Sequence, residues 1–182
     1  SGDDISREWA PVAVKNGAFA VDNSAAFRMD SEIVLAVPEI NGELLPPRER
    51  PQIIANPNCS TIQLVLALQP LRKFGLQAVK VSSYQSASGA GREAMAELRE
   101  QSRQWLDGKP ITHEQFIAPL ATSCIPHIGS LKDDGFCTEE RKIIFESKKI
   151  LGLPDLNISA FTVRIPTLVS HAEAVWVTLK DQ

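Results

Sequence analysis

Asn56-Pro57-Asn58-Cys59-Ser60-Thr61 is the stretch around which the chain is organised. A short apolar run, residues 51–55, precedes it and reads as the end of a strand. An apolar helical pattern, Ile62 to Phe74, follows and stops at Gly75. Cys59 therefore falls at a strand-to-helix junction, where backbone N–H groups are free and the helix dipole is positive. Such a position favours a thiolate, the attacking species in covalent catalysis at a carbonyl. The competing reading is a small buried hydrophobe, the common fate of a free cysteine.

Upstream, residues 5–14 have a helical pattern with Ser6 as N-cap and Asn16-Gly17 as the stop. Pro11 sits badly in it and predicts a kink or a later start. Ala18 to Val21 and Val34 to Val37 read as short strands. The order helix, strand, loop, strand suits the tail of a parallel α/β sheet. The proline-rich stretch from Pro46 to Pro51 is the candidate boundary region.

Downstream, Leu76 to Tyr84 alternates as a strand, with Val79 and Val81 on one side. A loop of small residues, Gln85-Ser86-Ala87-Ser88-Gly89-Ala90-Gly91, leads into a polar helix from Arg92 to Leu106. Residues 109–137 read as irregular. Thr138 reads as the cap of a helix from Glu139 to Leu151. Ile158 to Ile165 and Ala174 to Leu179 read as strands joined by residues 166–171.

Composition excludes several classes. The 182 residues suffice for one domain or slightly more, and 43 % hydrophobic content is ordinary for a folded chain. A net charge of -3 offers no electrostatic footprint for nucleic acid or an anionic membrane. No apolar run approaches the ~20 residues of a membrane span. Ser1-Gly2-Asp3-Asp4 has neither the basic nor the apolar part of a secretory signal. Cys59, Cys124 and Cys137 are an odd number without metal-ligand spacing, which suits free thiols in a reducing compartment. The chain does not begin with Met, so the expectation is a piece of a longer protein.

Other residues could join Cys59 in chemistry. The Gln85 amide could hold a thiol, a carbonyl or a water, or simply face solvent. The small-residue loop could bring backbone N–H groups close to a phosphate or a nicotinamide ring, or be a plain turn. Arg164 could grip a carboxylate with two prongs. His171 could take and return a proton, with His113 and His127 as competing bases. Glu139 and Lys142, three apart at a helix start, could present an acid and a base to one ligand or form a surface ion pair. Arg28, in a loop after a strand, suits an anion; its alternative is an exposed charge.

Taken together the chain resembles the bacterial aspartate-β-semialdehyde dehydrogenases. The pieces that carry the likeness are residues 22–29, 37–41, 56–61, 83–91, 125–128 and 139–142, then Val163-Arg164-Ile165-Pro166 with His171, in family order. The resemblance implies an α/β fold: the tail of a Rossmann-type nucleotide-binding domain, residues 1–55, and a mixed-sheet catalytic and dimerisation domain with helices on one face, residues 56–182. It implies Cys59 as nucleophile, Gln85 as orienter of the covalent intermediates and His171 as general acid/base. Arg164 would bind the substrate α-carboxylate, Glu139 its amino group, and Arg28, Asn58 and Lys142 phosphate. Ser86, Ser88, Gly89 and Ala90 would lie near the nicotinamide of NADP. No metal is implied.

The implied reaction is NADP-dependent reduction of β-aspartyl phosphate to aspartate semialdehyde, on the route to lysine, methionine and threonine. A cytoplasmic homodimer or homotetramer is implied. The family's glycine-rich phosphate loop has no counterpart here, and the family continues past the strand ending near Lys180, so the chain alone is expected to be inactive. Ala121-Thr122-Ser123-Cys124 departs from the family pattern. Two other readings are an N-acetyl-γ-glutamyl-phosphate reductase-like enzyme and a non-catalytic dimerisation fragment. The Glu139 and Lys142 pair and the Asn-Cys-Ser-Thr context argue against the first, and the set Cys59, Gln85, Arg164 and His171 against a relative without chemistry.

Overall fold

A computed structural model describes residues 2–180. Its elements are α1 (Asp3–Lys15), β1 (Ala20–Asp22), β2 (Val34–Leu35), α2 (Pro38–Asn41), β3 (Ile53–Ala55), α3 (Cys59–Leu68), β4 (Leu76–Gln85), α4 (Arg92–Leu106), α5 (Thr138–Leu151), β5 (Asn157–Arg164) and β6 (Ala172–Leu179). The fold is mixed α/β, as the sequence leads one to expect. Contacts divide the chain into two units. The first gathers Ser1–Val79, Lys142–Asn157 and Val177–Gln182; the second gathers Lys80–Arg141 and Ile158–Trp176.

In the first unit β3 lies between β1 and β2, parallel to both, with Asp22 opposite Ala55 and Leu35 opposite Ala55. Leu35, Ala55, Leu64, Val65, Leu68, Ile143 and Leu151 are fully buried. Helix α3 turns into a tighter 3-10 turn at Gln69–Phe74, where Pro70 cannot supply an N–H. Gly75 then takes a left-handed conformation (φ 73°) that ends it.

Neither the later start of α1 nor its Ser6 cap is seen. The helix begins at Asp3, and Pro11 lies within it. Pro11 is exposed, as is Arg7, whose carbonyl is the one left without a helical donor, so water can serve it. Ser6 is not the cap. Its hydroxyl donates instead to Asp22 Oδ1 (2.6 Å), tying α1 to the end of β1.

The strands β5-β4-β6 form a three-stranded sheet with β4 in the centre. In the second unit, α4 substitutes for regular structure in the irregular segment after it. Gln101 accepts the N–H groups of Leu120 (2.8 Å) and Ala121 (3.0 Å), and Glu97 those of Glu114 and Gln115. Ala94, Leu98, Phe116, Leu120, Ile125 and Ala87 close over this as one apolar cluster. Thr138 does not cap α5 through its hydroxyl, which accepts the Ser130 N–H (3.1 Å). Glu140 reaches back to the Cys137 N–H (2.8 Å), the acidic half of a capping box.

Candidate active site

The first unit carries the cysteine group. Asn58 is the N-cap of α3, and its side-chain oxygen accepts the N–H groups of Ser60 (2.9 Å) and Thr61 (3.3 Å). That cap fixes Cys59 at the first helical position, where its thiol is exposed. The reading of Cys59 as a buried hydrophobe is thereby excluded. Arg28 is buried and not an exposed charge: its Nη1 lies 3.1 Å from Glu146 Oε1 and its Nη2 donates to the Asn23 carbonyl. Arg28 Nε is buried with no hydrogen-bond partner.

Glu146 is the residue sequence reasoning missed. It is 1 % exposed, and its other oxygen accepts the Asn58 N–H at 2.7 Å. Burial pushes its carboxyl up, opposed by Arg28, by the Asn58 N–H and by Lys142 four residues before it. One acid thus links Arg28 to the backbone entering Cys59. The signal for it was its place on the face already marked by Glu139 and Lys142, at spacings of three and four. Lys149, one turn further, caps the carbonyls of Arg28, Asp30 and Ile33 with its ammonium, and burial lowers its pKa.

The second unit carries the histidine group. Gln85, at the end of β4, is 1 % exposed, so the solvent-facing alternative fails. Its Nε2 donates to Ser83 Oγ (3.2 Å) and Glu139 Oε1 (3.3 Å). Glu139 is itself buried, which excludes the surface ion pair. Arg164, at the end of β5, is buried and donates to the Ser86 carbonyl (2.7 Å). The loop after β4 is laced to the segment before β6: Ile165 N–H to Gln85 O, Ala87 N–H to Thr167 O, and Ser88 N–H to Leu168 O.

These bonds deliver His171. Ser170 is the single non-glycine residue with positive φ (77°) among the described residues, a backbone state that costs energy and recurs at functional sites. His171 Nδ1 then lies 3.1 Å from Ser86 Oγ and 3.3 Å from the Ser86 nitrogen. Burial lowers the His171 pKa, Arg164 lowers it further, and the Ser170 carbonyl and Glu139 oppose. The neutral ring is the form this favours near pH 7. Gly89 packs against the side chains of both Arg164 and His171. A Cβ there would lie 2.8 Å from Arg164 Nη1 and 3.2 Å from His171 Nε2, so the position admits only glycine without displacement.

Of the sequence candidates, then, Arg28, Asn58 and Lys142 meet around Glu146, while Gln85, Glu139, Arg164, His171, Ser86, Ser88 and Gly89 form one connected group. Ala90 lines a cavity of about 220 Å³ with Ile125, His127 and Arg164. Of the competing bases, His113 is bound through Nδ1 to the Phe116 carbonyl, whereas His127 lines that cavity and keeps a buried Nε2 without a partner. Among the described residues no three His, Cys, Asp or Glu are placed to hold a metal, and no helix is long and apolar enough to cross a membrane.

Residues 68–182 match the family model described as semialdehyde dehydrogenase, dimerisation domain, and residues 1–46 match semialdehyde dehydrogenase, NAD binding domain. The chain belongs to the semialdehyde dehydrogenase family. Within it, the relatives are aspartate-semialdehyde dehydrogenases. That of Aquifex aeolicus is 42 % identical over 177 residues, covering 96 % of this chain and 52 % of the relative. That of Bacillus subtilis is 44 % identical over 187 residues, covering 98 % and 54 %. The crystal structure of aspartate semialdehyde dehydrogenase II from Vibrio cholerae complexed with ASA superposes with a TM-score of 0.95 at 39 % identity, over 99 % of this chain and 54 % of that one. The chain thus spans about half the length of these relatives.

Proposed function

We propose that this chain is part of an aspartate-semialdehyde dehydrogenase that reduces β-aspartyl phosphate to aspartate semialdehyde through a thioester on Cys59. The observation that carries the reading is the convergence of buried Gln85, Glu139 and Arg164 with half-buried His171 into one connected polar group, drawn from positions far apart in the sequence. Buried polar clusters are costly, and such groups mark sites where chemistry is done. The identity to aspartate-semialdehyde dehydrogenases supports the substrate class.

Each residue then has a task. Cys59, exposed at the start of α3, attacks the acyl carbon and expels phosphate, and the N–H groups of that helix start are candidates to receive the developing oxyanion. Arg28, Asn58 and Lys142 bind the phosphate; a buried guanidinium with an unpartnered Nε suits an anion. Arg164 takes the substrate α-carboxylate and Glu139 its amino group. Gln85 orients the covalent intermediates, and His171, held neutral, moves the protons.

Ser86, Ser88, Gly89 and Ala90 would sit against the nicotinamide of NADP, with the absence of a side chain at Gly89 leaving room for Arg164 and His171 beside them. NADP, when bound, supplies the hydride chemistry. Residues 1–55 belong to the nucleotide-binding domain and 56–182 to the catalytic and dimerisation domain of a cytoplasmic homodimer or homotetramer. The chain alone is inactive because it spans only half of the enzyme. The test is phosphate-dependent reduction of NADP by aspartate semialdehyde, measured for this chain and for a protein of the relatives' full length that contains it. Turnover by the longer protein alone, abolished by Cys59→Ala, is expected. A longer protein indifferent to Cys59→Ala overturns the reading.

A further inference from the structure

The ring of His171 has two faces in this structure, and they are unequal. Nδ1 is met by two groups of Ser86. The backbone N–H, 3.3 Å away, can only donate. The hydroxyl, 3.1 Å away, can donate or accept. Ser86 Oγ is in turn 2.9 Å from Ser88 Oγ. Nε2 is buried with no partner and lies against Gly89.

Because an amide N–H points at it, Nδ1 of the neutral ring must offer a lone pair, and the ring proton is left on Nε2. The Ser86 hydroxyl then also donates to Nδ1, and the Ser88 hydroxyl donates to Ser86 Oγ. The direction of the whole chain is set. The Ser170 carbonyl is the one competing acceptor and pulls the other way, toward a proton on the ring. Two donors on a fully buried residue stand against it.

We propose that Ser86 is a positioning residue: through its N–H and its hydroxyl it holds neutral His171 as the Nε2–H tautomer, with Ser88 completing the relay. This gives Ser86 and Ser88 a task beyond lining a cofactor. The catalytic meaning of the tautomer rests on the proposed role of His171 as proton carrier, since the ring enters the reaction as a donor at Nε2 beside Arg164. The tautomer itself does not depend on that role.

The test is long-range proton–nitrogen NMR of the uniformly 15N-labelled 182-residue chain, without substrate. The chain has three histidines, and His171→Asn assigns the ring signals of His171. In the wild type, neutral His171 shows a protonated Nε2 and a bare Nδ1. Ser86→Ala removes one of two donors, each worth a net factor of roughly three to ten, so the Nε2–H share over the Nδ1–H share falls by that factor. The His171 titration midpoint then rises, with Arg164, Glu139 and the Ser170 carbonyl unchanged around it. Ser88→Ala gives a smaller shift in the same direction. A wild type with its proton on Nδ1 overturns the proposal, as does a Ser86→Ala ring with unaltered tautomer ratio and midpoint. Neither result bears on turnover by the full-length enzyme, so the two proposals fail separately.

Discussion

Glu146 Oε2 accepts the backbone N–H of Asn58 at 2.7 Å, across 88 residues of sequence, while Oε1 of the same carboxylate holds Arg28. The acid is therefore a joint between helix α5, the loop after β1 and the peptide that enters α3. Removing one partner of a buried ion pair leaves the other charge uncompensated, at about 3–5 kcal/mol. Glu146→Leu is expected to lower unfolding free energy by that amount in urea titration. A loss under about 1 kcal/mol would show that Arg28 finds water instead.

Thiol accessibility separates the three cysteines. Cys59 and Cys124 are exposed, and Cys137 is buried with its Sγ 3.2 Å from Thr162 Oγ1. A colorimetric thiol reagent is expected to titrate two thiols in the native chain and the third only after unfolding. Cys59→Ser removes one of the two rapid equivalents. Three rapid equivalents in the native protein would contradict the burial of Cys137.

Gly89→Ala tests the close approach behind the proposed carboxylate grip. The added methyl would collide with Arg164 Nη1 at 2.8 Å and crowd His171 at 3.2 Å. In the full-length enzyme the expected result is a KM for aspartate semialdehyde raised tenfold or more, with a native circular dichroism spectrum. An unchanged KM would mean that Arg164 does not hold the substrate.

Asp22 supplies a pH signature. Burial pushes its carboxyl up, but bonds from Ser6 and Ser24 and the charge of Arg28 outweigh this and hold it below the usual carboxylate range. A carboxylate with a lowered folded pKa stabilises the fold fully above its unfolded pKa of about 3.9, and the contribution is lost as pH falls through the folded pKa. Asp22→Asn is therefore expected to be less stable than wild type at neutral pH. The gap should narrow in acid, read as urea midpoints at several pH values. A gap independent of pH would assign the effect to shape, not charge.

Local pattern and long-range contact divide what could be read beforehand. Helix α4 was legible to the residue, because its polar periodicity ends at Gly108 and Pro110. The strand alternation of Val79 and Val81 and the cysteine at a helix start were legible for the same reason. The caps were not. Ser6 and Thr138 carry the right side chains in the right places, but Asp22 and Ser130, distant in sequence, claimed their hydroxyls. Helical spacing from Lys142 marked the face on which Glu146 lies, but what distinguishes it is Asn58, 88 residues away, not its own neighbours. Gln85, Arg28 and Glu139 were visible as candidates, yet only burial separates a working polar residue from a solvated one. The pairing of Ser86 with His171, 85 residues apart, lies beyond any sequence pattern.

The two sheets differ in the order in which a growing chain could assemble them. In the first, the central strand β3 is synthesised after both edges, so each partner is waiting when it emerges. In the second, the central strand β4 comes first, and its partners begin only at Asn157 and Ala172. Through the synthesis of everything between, a ten-residue strand carries two unpaired edges. Non-local pairing of this kind slows folding and exposes strand edges to other chains. Helix α4, the irregular segment laced to it and α5 are what a nascent chain has available in that interval, and a ribosome-bound form ending before β5 is expected to aggregate more readily than the finished chain.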